Sequence, residues 1–337
     1  MAKVDSAVFS PDISVVICAY TEDRYADLVA AVRSIRNQYL PPLEIVVVID
    51  HNPALFVRVQ HSLEGIVVVE NGQQRGLSGA RNSGVAAASG AIIAFMDEDA
   101  MAAPDWLEQL RGGFEMPHVM GVGGKIEPLW PGARPRWLPE EFDWVVGCTY
   151  LGMPVTSVPV RNLIGCNMAV RREVFAEVGG FRQGIGRIGV TPVGCEETEL
   201  CIRAGQHWPD RVILYEPRAL VRHRVSANRT KWRYFRSRCV AEGRSKALVT
   251  ALVGTADGLA TERSYTTRTL PRGVLRGVQE AVTRRNIWGL ARAGAIIMGF
   301  GLTAAGYVIG RLQRHLLPRT RRTRPDASYA RRAEQEL

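Results

Sequence analysis

Ala91-Ile-Ile-Ala-Phe-Met-Asp-Glu-Asp99 runs six apolar residues straight into three acids. The apolar part has strand length and does not alternate, which predicts a strand buried on both faces. Three earlier runs, residues 13–18, 44–49 and 65–69, have the same character. Between them lie segments with helical spacing: 27–38, with Leu28, Val32 and Ile35 on one face, then 53–63, then the small-residue stretch 77–88. Apolar strands alternating with helices predict an α/β fold, a mostly parallel sheet flanked by helices. In such sheets ligands bind beyond the carboxyl ends of the strands. Those ends carry Tyr20-Thr-Glu22, Asp50, Glu70-Asn71 and Asp97-Glu-Asp99, four polar ends expected to converge.

If strand geometry continues past Met96, Asp97 and Asp99 point the same way. Oxygen ligands suit Mg2+ or Mn2+, and Mg2+ is commonly held by one or two carboxylates together with substrate phosphates. Asp-x-Asp alone is frequent by chance, so its context matters. Gly76-Leu-Ser-Gly-Ala-Arg-Asn-Ser-Gly84 and Ser89-Gly90 precede the strand, and Pro104-Asp-Trp-Leu107 follows the acids. With Ser14-Val-Val-Ile-Cys-Ala-Tyr-Thr21 at the start, this order resembles family 2 glycosyltransferases, inverting enzymes whose nucleotide-binding half has the GT-A fold. The resemblance spans roughly the first 250 residues. It implies that Ala19, Tyr20, Glu22 and Asp50 line the nucleoside pocket and that Arg81 approaches the diphosphate or the nucleoside. It also implies that Asp97 and Glu98 belong to the donor site, with Asp97 touching ribose and metal, and that Asp99 ligates Mg2+ or Mn2+.

Gly194-Cys-Glu-Glu-Thr-Glu-Leu-Cys-Ile-Arg203 is the second acidic cluster. Glu196, Glu199 and Arg203 fall on one helical face, which fits a salt-bridged helix start. It also fits a general base, since inverting transfer needs a carboxylate to take the proton of the attacking hydroxyl. The family's segment reads Glu-Asp with the Asp as base. Here it is Glu196-Glu197, so the resemblance puts the base on Glu197, with Glu196 as the other candidate. His223, expected after a strand at 211–215, matches a late metal-ligand position of GT-A enzymes, and a purely structural role stands beside that reading. Gly184-Ile-Gly-Arg-Ile-Gly189 fits GxGxxG, but no strand precedes it and no helix opens on it; a loop closing over substrate is expected instead. Asn162-Leu-Ile-Gly-Cys-Asn-Met168 and Gly179-Gly-Phe181 resemble the family's acceptor-side strand and its following turn.

Charge is unevenly spread in this chain of net charge +10. Residues 218–337 hold 25 basic and 7 acidic residues, hence +18, and residues 1–217 hold 18 and 26, hence −8. A basic back half suits nucleic acid or anionic lipid, and the enzyme-like front half favours lipid. The polar start predicts no signal peptide. Six cysteines without a CxxC pair predict reduced, mostly buried thiols and no zinc site. Thr230-Lys-Trp-Arg-Tyr-Phe-Arg-Ser-Arg-Cys239 interleaves cations and aromatics, as a membrane-surface helix does, or as a helix docked on the catalytic domain. Residues 293–310 carry no charge over 18 positions, close to the length of a spanning helix, and contain Gly306-x-x-x-Gly310. The expected organisation is a GT-A catalytic domain at 10–225 (nucleotide half 10–100, acceptor half 101–225), a basic helical membrane-associated region at 226–317, and a disordered tail at 318–337. The implied partners are a nucleotide diphosphate sugar, such as UDP-glucuronic acid, a lipid-linked (polyprenyl) or saccharide acceptor, and the cytoplasmic face of a membrane. Self-association stays open, and nucleic acid is not expected. The competing readings are a nucleotide-sugar-binding protein without catalysis and a basic nucleic-acid-binding protein.

Overall fold

The computed structural model describes residues 12–185 and 194–316. The tail 318–337, and most of the glycine loop read at 184–189, lie outside the described residues.

The four apolar runs form β1 (Ile13–Ala19), β2 (Glu44–Ile49), β3 (Val67–Glu70) and β4 (Ile92–Asp97), all parallel, in the order β3-β2-β1-β4. Helices α1 (Tyr25–Arg36), α2 (Pro53–Ser62) and α3 (Leu77–Ala87) connect them. Side chains alternate across each strand. Val15, Ile17, Val47 and Ile49 therefore pack with α1 and α2 through Leu28, Val32, Ile35, Leu55 and Val59. Val16, Val46, Val48 and Phe95 pack on the other face with Ala80 of α3. Both faces are covered, which is why these strands read as unbroken apolar runs.

The second half makes the sheet mixed. After β5 (Ala100–Ala102) and α4 (Trp106–Gly113) come β6 (Val119–Leu129), β7 (Val158–Val160), β8 (Asn167–Arg171), α5 (Arg172–Val178), α6 (Glu196–His207) and β9 (Val212–Arg224). The order continues β4-β8-β6-β9-β5, with β8 antiparallel to β4 and β6, and β5 and β7 antiparallel to β9. Buried Asn167 ties this half together: its amide donates to the carbonyls of Lys125 (2.9 Å) and Ala219 (2.8 Å), and its oxygen accepts from Trp106 Nε1 (2.8 Å).

Two expectations need correction. The strand read at 211–215 is one 13-residue strand, and His223 lies inside it. Glu216-Pro-Arg hides this continuity, because the register against β6 jumps from Gly124–Glu216 to Lys125–Leu220 and absorbs the interruption. The stretch 130–144, whose richness in Trp, Pro and Gly predicts loop, enters a 3-10 helix at Glu140–Val146. Its Phe142 and Val145, with Leu138, form a third core with Phe235 and Cys239.

Phe235 and Cys239 belong to α7 (Trp232–Val253), which is followed by the short α8 (Thr255–Gly258) and α9 (Ala260–Ser264), then α10 (Leu270–Thr283) and α11 (Trp288–Leu316). Both side chains are fully buried. Thus 230–239 docks on the catalytic domain, and of its aromatic residues Trp232, Tyr234 and Phe235 only Trp232 is exposed.

Candidate active site

Parallel pairing sets Cys18 of β1 beside Asp97 of β4, so the acids begin where the sheet ends. The chain then turns into β5, whose Ala100 pairs with His223 of β9. That pairing brings His223 Nε2 to 3.2 Å from Asp99 Oδ1. Arg229, in the turn after β9, stands 3.2 Å from the same nitrogen and 3.9 Å from Asp99. Arg24 lies 3.1 Å from both Glu98 and Asp99. Burial opposes ionisation of Asp99, but His223, Arg229 and Arg24 outweigh it and hold the carboxyl well below the usual range. Glu98 behaves oppositely: burial pushes it up to about 8 despite Arg24.

The nucleotide-side residues line one cleft, with Ala19, Tyr20, Asp50 and Asp97–Asp99 on its wall. Asp50 is already engaged: Asn71 Nδ2 (2.7 Å) and the Gly76 N–H (3.0 Å) donate to its two oxygens. It thereby fixes the turn into α3, where Gly76 has φ of 127°, a conformation open to glycine. Glu22 is not brought to the cleft. It starts the 3-10 turn Glu22–Arg24, is half exposed and faces Arg58 at 3.5 Å, while Arg24 of the same turn points inward. Arg24 and Arg229 carried no site role in the sequence reading. The signal for Arg24 was its position just past a strand whose end faces the cleft; for Arg229 it was the run His223-x-Val-x-x-x-Arg229, which resembles the family's last segment.

Arg81 on α3 joins the two acidic clusters. It is buried, donates to Glu196 Oε1 (2.8 Å) and to the Gly165 carbonyl (3.0 Å), and lies 3.5 Å from Asp97. A methyl group on Gly165 would stand 2.5 Å from the guanidinium, so any side chain there would push Arg81 out of this position. Glu196 and Glu197 open α6 immediately after Cys195, a non-glycine residue at φ of 77°. Glu196 is thus held in a buried ion pair. Glu197 accepts from Thr198 Oγ1 at 3.2 Å. Burial, then the charge of Glu196, push Glu197 up to about 8, with Arg81 opposing. Glu199, on the same helical face as Glu196, is fully buried and paired with Arg203 (2.8 Å) and Arg182 (3.3 Å). For Glu199 the salt-bridge reading therefore holds.

A divalent cation has suitable ligands here. One ligand atom each of Asp97, Cys166 and His223 lie within 4.8 Å of one another, and Asp99 adjoins His223. Cys166 is one of the six cysteines read from sequence as reduced, mostly buried thiols, and it is buried. Burial, reinforced by Asp97 and Asp99, pushes it well above the usual thiol range.

The model of the family "Glycosyl transferase family 2" matches residues 14–179. The glucosyl-dolichyl phosphate glucuronosyltransferase of Haloferax volcanii is 34% identical over 315 residues, 91% of this chain and 99% of that protein. The chain belongs to glycosyltransferase family 2. It is therefore a glycosyltransferase, and its solved neighbours have the GT-A fold. One is the mannosyltransferase PcManGT of Pyrobaculum calidifontis in complex with GDP-Man and Mn2+, with a TM-score of 0.55 and 16% identity over 91% of this chain and 88% of that one. Another is GalNAc-T7 with UDP, GalNAc and Mn2+, with a TM-score of 0.50 and 18% identity over 76% of this chain and 54% of that one.

Proposed function

We propose that the protein transfers a sugar, with inversion, from a nucleotide diphosphate donor to a hydroxyl of a sugar already linked to a polyprenyl phosphate. The observation that carries this reading is Arg81, whose guanidinium reaches both Asp97 and Glu196. It holds the donor-side acids and the start of α6 at one place. Tyr20, with Arg24 5.5 Å from its ring, offers a stacking surface for the base. Arg24, Arg81 and Arg229 supply the positive charge that a diphosphate requires.

Asp97, Asp99 and His223 would hold Mg2+ or Mn2+, the ion named for both solved neighbours being Mn2+. When bound, such an ion neutralises charge on the departing diphosphate. Glu197 is the general base: its carboxylate takes the proton of the acceptor hydroxyl as that oxygen attacks the anomeric carbon. The bond to the diphosphate breaks on the opposite side, and its electrons leave with the phosphate oxygen. Glu196, neutralised by Arg81, holds Arg81 in place and raises the basicity of Glu197.

The Haloferax volcanii relative's name specifies a glucosyl-dolichyl phosphate acceptor and glucuronosyl transfer. That supports a lipid-linked acceptor and puts UDP-glucuronic acid first among donors. An uncharged C-terminal stretch and a lipid-linked acceptor support a location on a membrane, and the proposed side is the cytoplasmic one. The test is purified protein with a panel of nucleotide sugars, Mg2+ or Mn2+, and a short-chain polyprenyl-phosphate sugar. The expected result is metal-dependent release of nucleotide diphosphate that the acceptor accelerates. Tight nucleotide-sugar binding without turnover under any of these conditions would favour a non-catalytic binding protein.

A further inference from the structure

Helix α11 contains a 26-residue segment, Trp288–Gln313, of mean hydropathy 1.6, of which one third of the most apolar window is buried. The buried side is made of small residues. Gly289 packs on Gly277 of α10, Gly299 on Phe142 and Phe235, Gly306 on Val240, and Gly310 on Ala247 and Arg244 of α7. The Gly306-x-x-x-Gly310 pair is thus a contact within the chain. The opposite side is bare: Leu290, Ile297, Gly301, Val308 and Leu312, spaced seven, four, seven and four, are all exposed, without a charge between Arg292 and Arg311. On α10, Pro271, Leu275, Val278 and Val282 make a second exposed apolar stripe at helical spacing.

Contact with the catalytic domain and α7 runs from Arg292, which donates to the Arg136 carbonyl, to Gly310, roughly 27 Å of helix at about 1.5 Å per residue. A bilayer's hydrocarbon core is about 30 Å thick. A crossing α11 would drag α7, with Arg236, Arg238, Glu242, Arg244 and Lys246, to hydrocarbon depth, and charges there are costly. Lying flat leaves α7 in water and covers only the bare stripe. The charge pattern selects the lipid: residues 263–313 hold eight arginines and one acid, Glu280, with Arg272, Arg284 and Arg285 exposed. We propose that α11, together with the stripe of α10, lies in the plane of an anionic bilayer, sunk into one leaflet and not crossing it.

This deepens the lipid-linked reading above, and its test is read without substrate, so a failure of glycosyl transfer enters neither result. The full chain is floated with vesicles of phosphatidylcholine and phosphatidylglycerol at low salt. Ile297→Asp with Val308→Asp, both exposed positions, should lower the vesicle-bound fraction at least about tenfold. Nucleotide-sugar binding should not change. Thr283→Cys, exposed at the end of α10 just before α11 and outside both stripes, and Gln313→Cys are then each labelled on vesicles with a membrane-impermeant maleimide, with the wild type giving the background of native thiols. In-plane docking predicts that both label from the side bearing the catalytic domain. Labelling of Gln313→Cys only after detergent would mean a crossing helix and overturn the proposal. So would wild-type protein that stays off the vesicles, or a double variant that binds them as well as wild type does.

Discussion

Replacing Glu196 by glutamine should move the acid limb of the pH–rate profile to lower pH. Glu197 is pushed up to about 8, by burial first and by Glu196 second, with Arg81 opposing. A general base works when unprotonated, so at pH 7 about one molecule in ten carries Glu197 ready to act. For the wild type, kcat/KM should therefore climb about tenfold per pH unit and level off above about pH 8. Glu196→Gln removes a negative neighbour and leaves the Arg81 guanidinium, 2.8 Å from the original carboxylate, without its partner. Both changes favour the ionised form of Glu197, so its pKa falls. Two unit charges about 6 Å apart at an effective dielectric of about 20 interact by about 2.8 kcal/mol, which is about two pKa units. Solvent at the partly open Glu197 weakens this, which leaves about one unit as the expected shift. The assay is kcat/KM against pH for both proteins with one donor, so that ionisation of the donor cancels in the ratio. A midpoint that stays put or rises in Glu196→Gln would refute the reasoning, because the base would then not sense Glu196.

Other consequences are as direct. Glu197→Gln keeps the shape and removes proton acceptance, so turnover should fall at least about a hundredfold with donor affinity preserved; near-normal kcat would remove Glu197 from the mechanism. Asp99→Ala should abolish transfer and weaken binding of the metal–nucleotide pair by calorimetry, and activity undiminished in EDTA would rule out the cation. Gly165→Ala forces a methyl group against Arg81 and should lower kcat while far-ultraviolet dichroism stays normal; unchanged kcat would show that Arg81 need not be held there. Phe235→Ala empties part of the core that α7 shares with Phe142, Ala295 and Ile296 and should destabilise by about 3–5 kcal/mol. An unchanged Tm would mean that this core does not hold α11 to the domain.

The nucleotide half was legible because its strands are buried on both faces, and such strands show as unbroken apolar runs between helices. Asp97, Asp99 and the Glu196-Glu197 pair stood out because a strand end and a helix start put them in recognisable places, whereas Arg81 was picked out only by the resemblance of its segment to the family's. His223 was picked out, but with the wrong local structure, because Glu216-Pro-Arg looks like a strand end and the accommodating bulge depends on β6, far away in sequence. Arg24 and Glu22 share one turn, and which of them faces the cleft depends on the three-residue twist of that turn, which no spacing rule reports. The back half misled for a more general reason. An apolar or small-residue face looks the same whether it meets lipid or protein, so Phe235, Cys239, Gly306 and Gly310 read as membrane features although they pack within the chain. Truncation before α11 would accordingly expose the Phe142–Phe235 core as well as remove the exposed stripe. Charged substitutions on that stripe separate the two effects.

The central claim, inverting transfer to a lipid-linked sugar, is tested most directly by proton NMR of the product anomeric centre. The reaction would pair an α-linked nucleotide sugar, UDP-glucuronic acid first, with a short-chain polyprenyl-phosphate sugar in the presence of Mn2+. The account predicts one new β-glycosidic linkage formed in step with nucleotide diphosphate release, and none with Glu197→Gln. An α-linked product, or nucleotide diphosphate released with no glycoside formed on the acceptor, would contradict it.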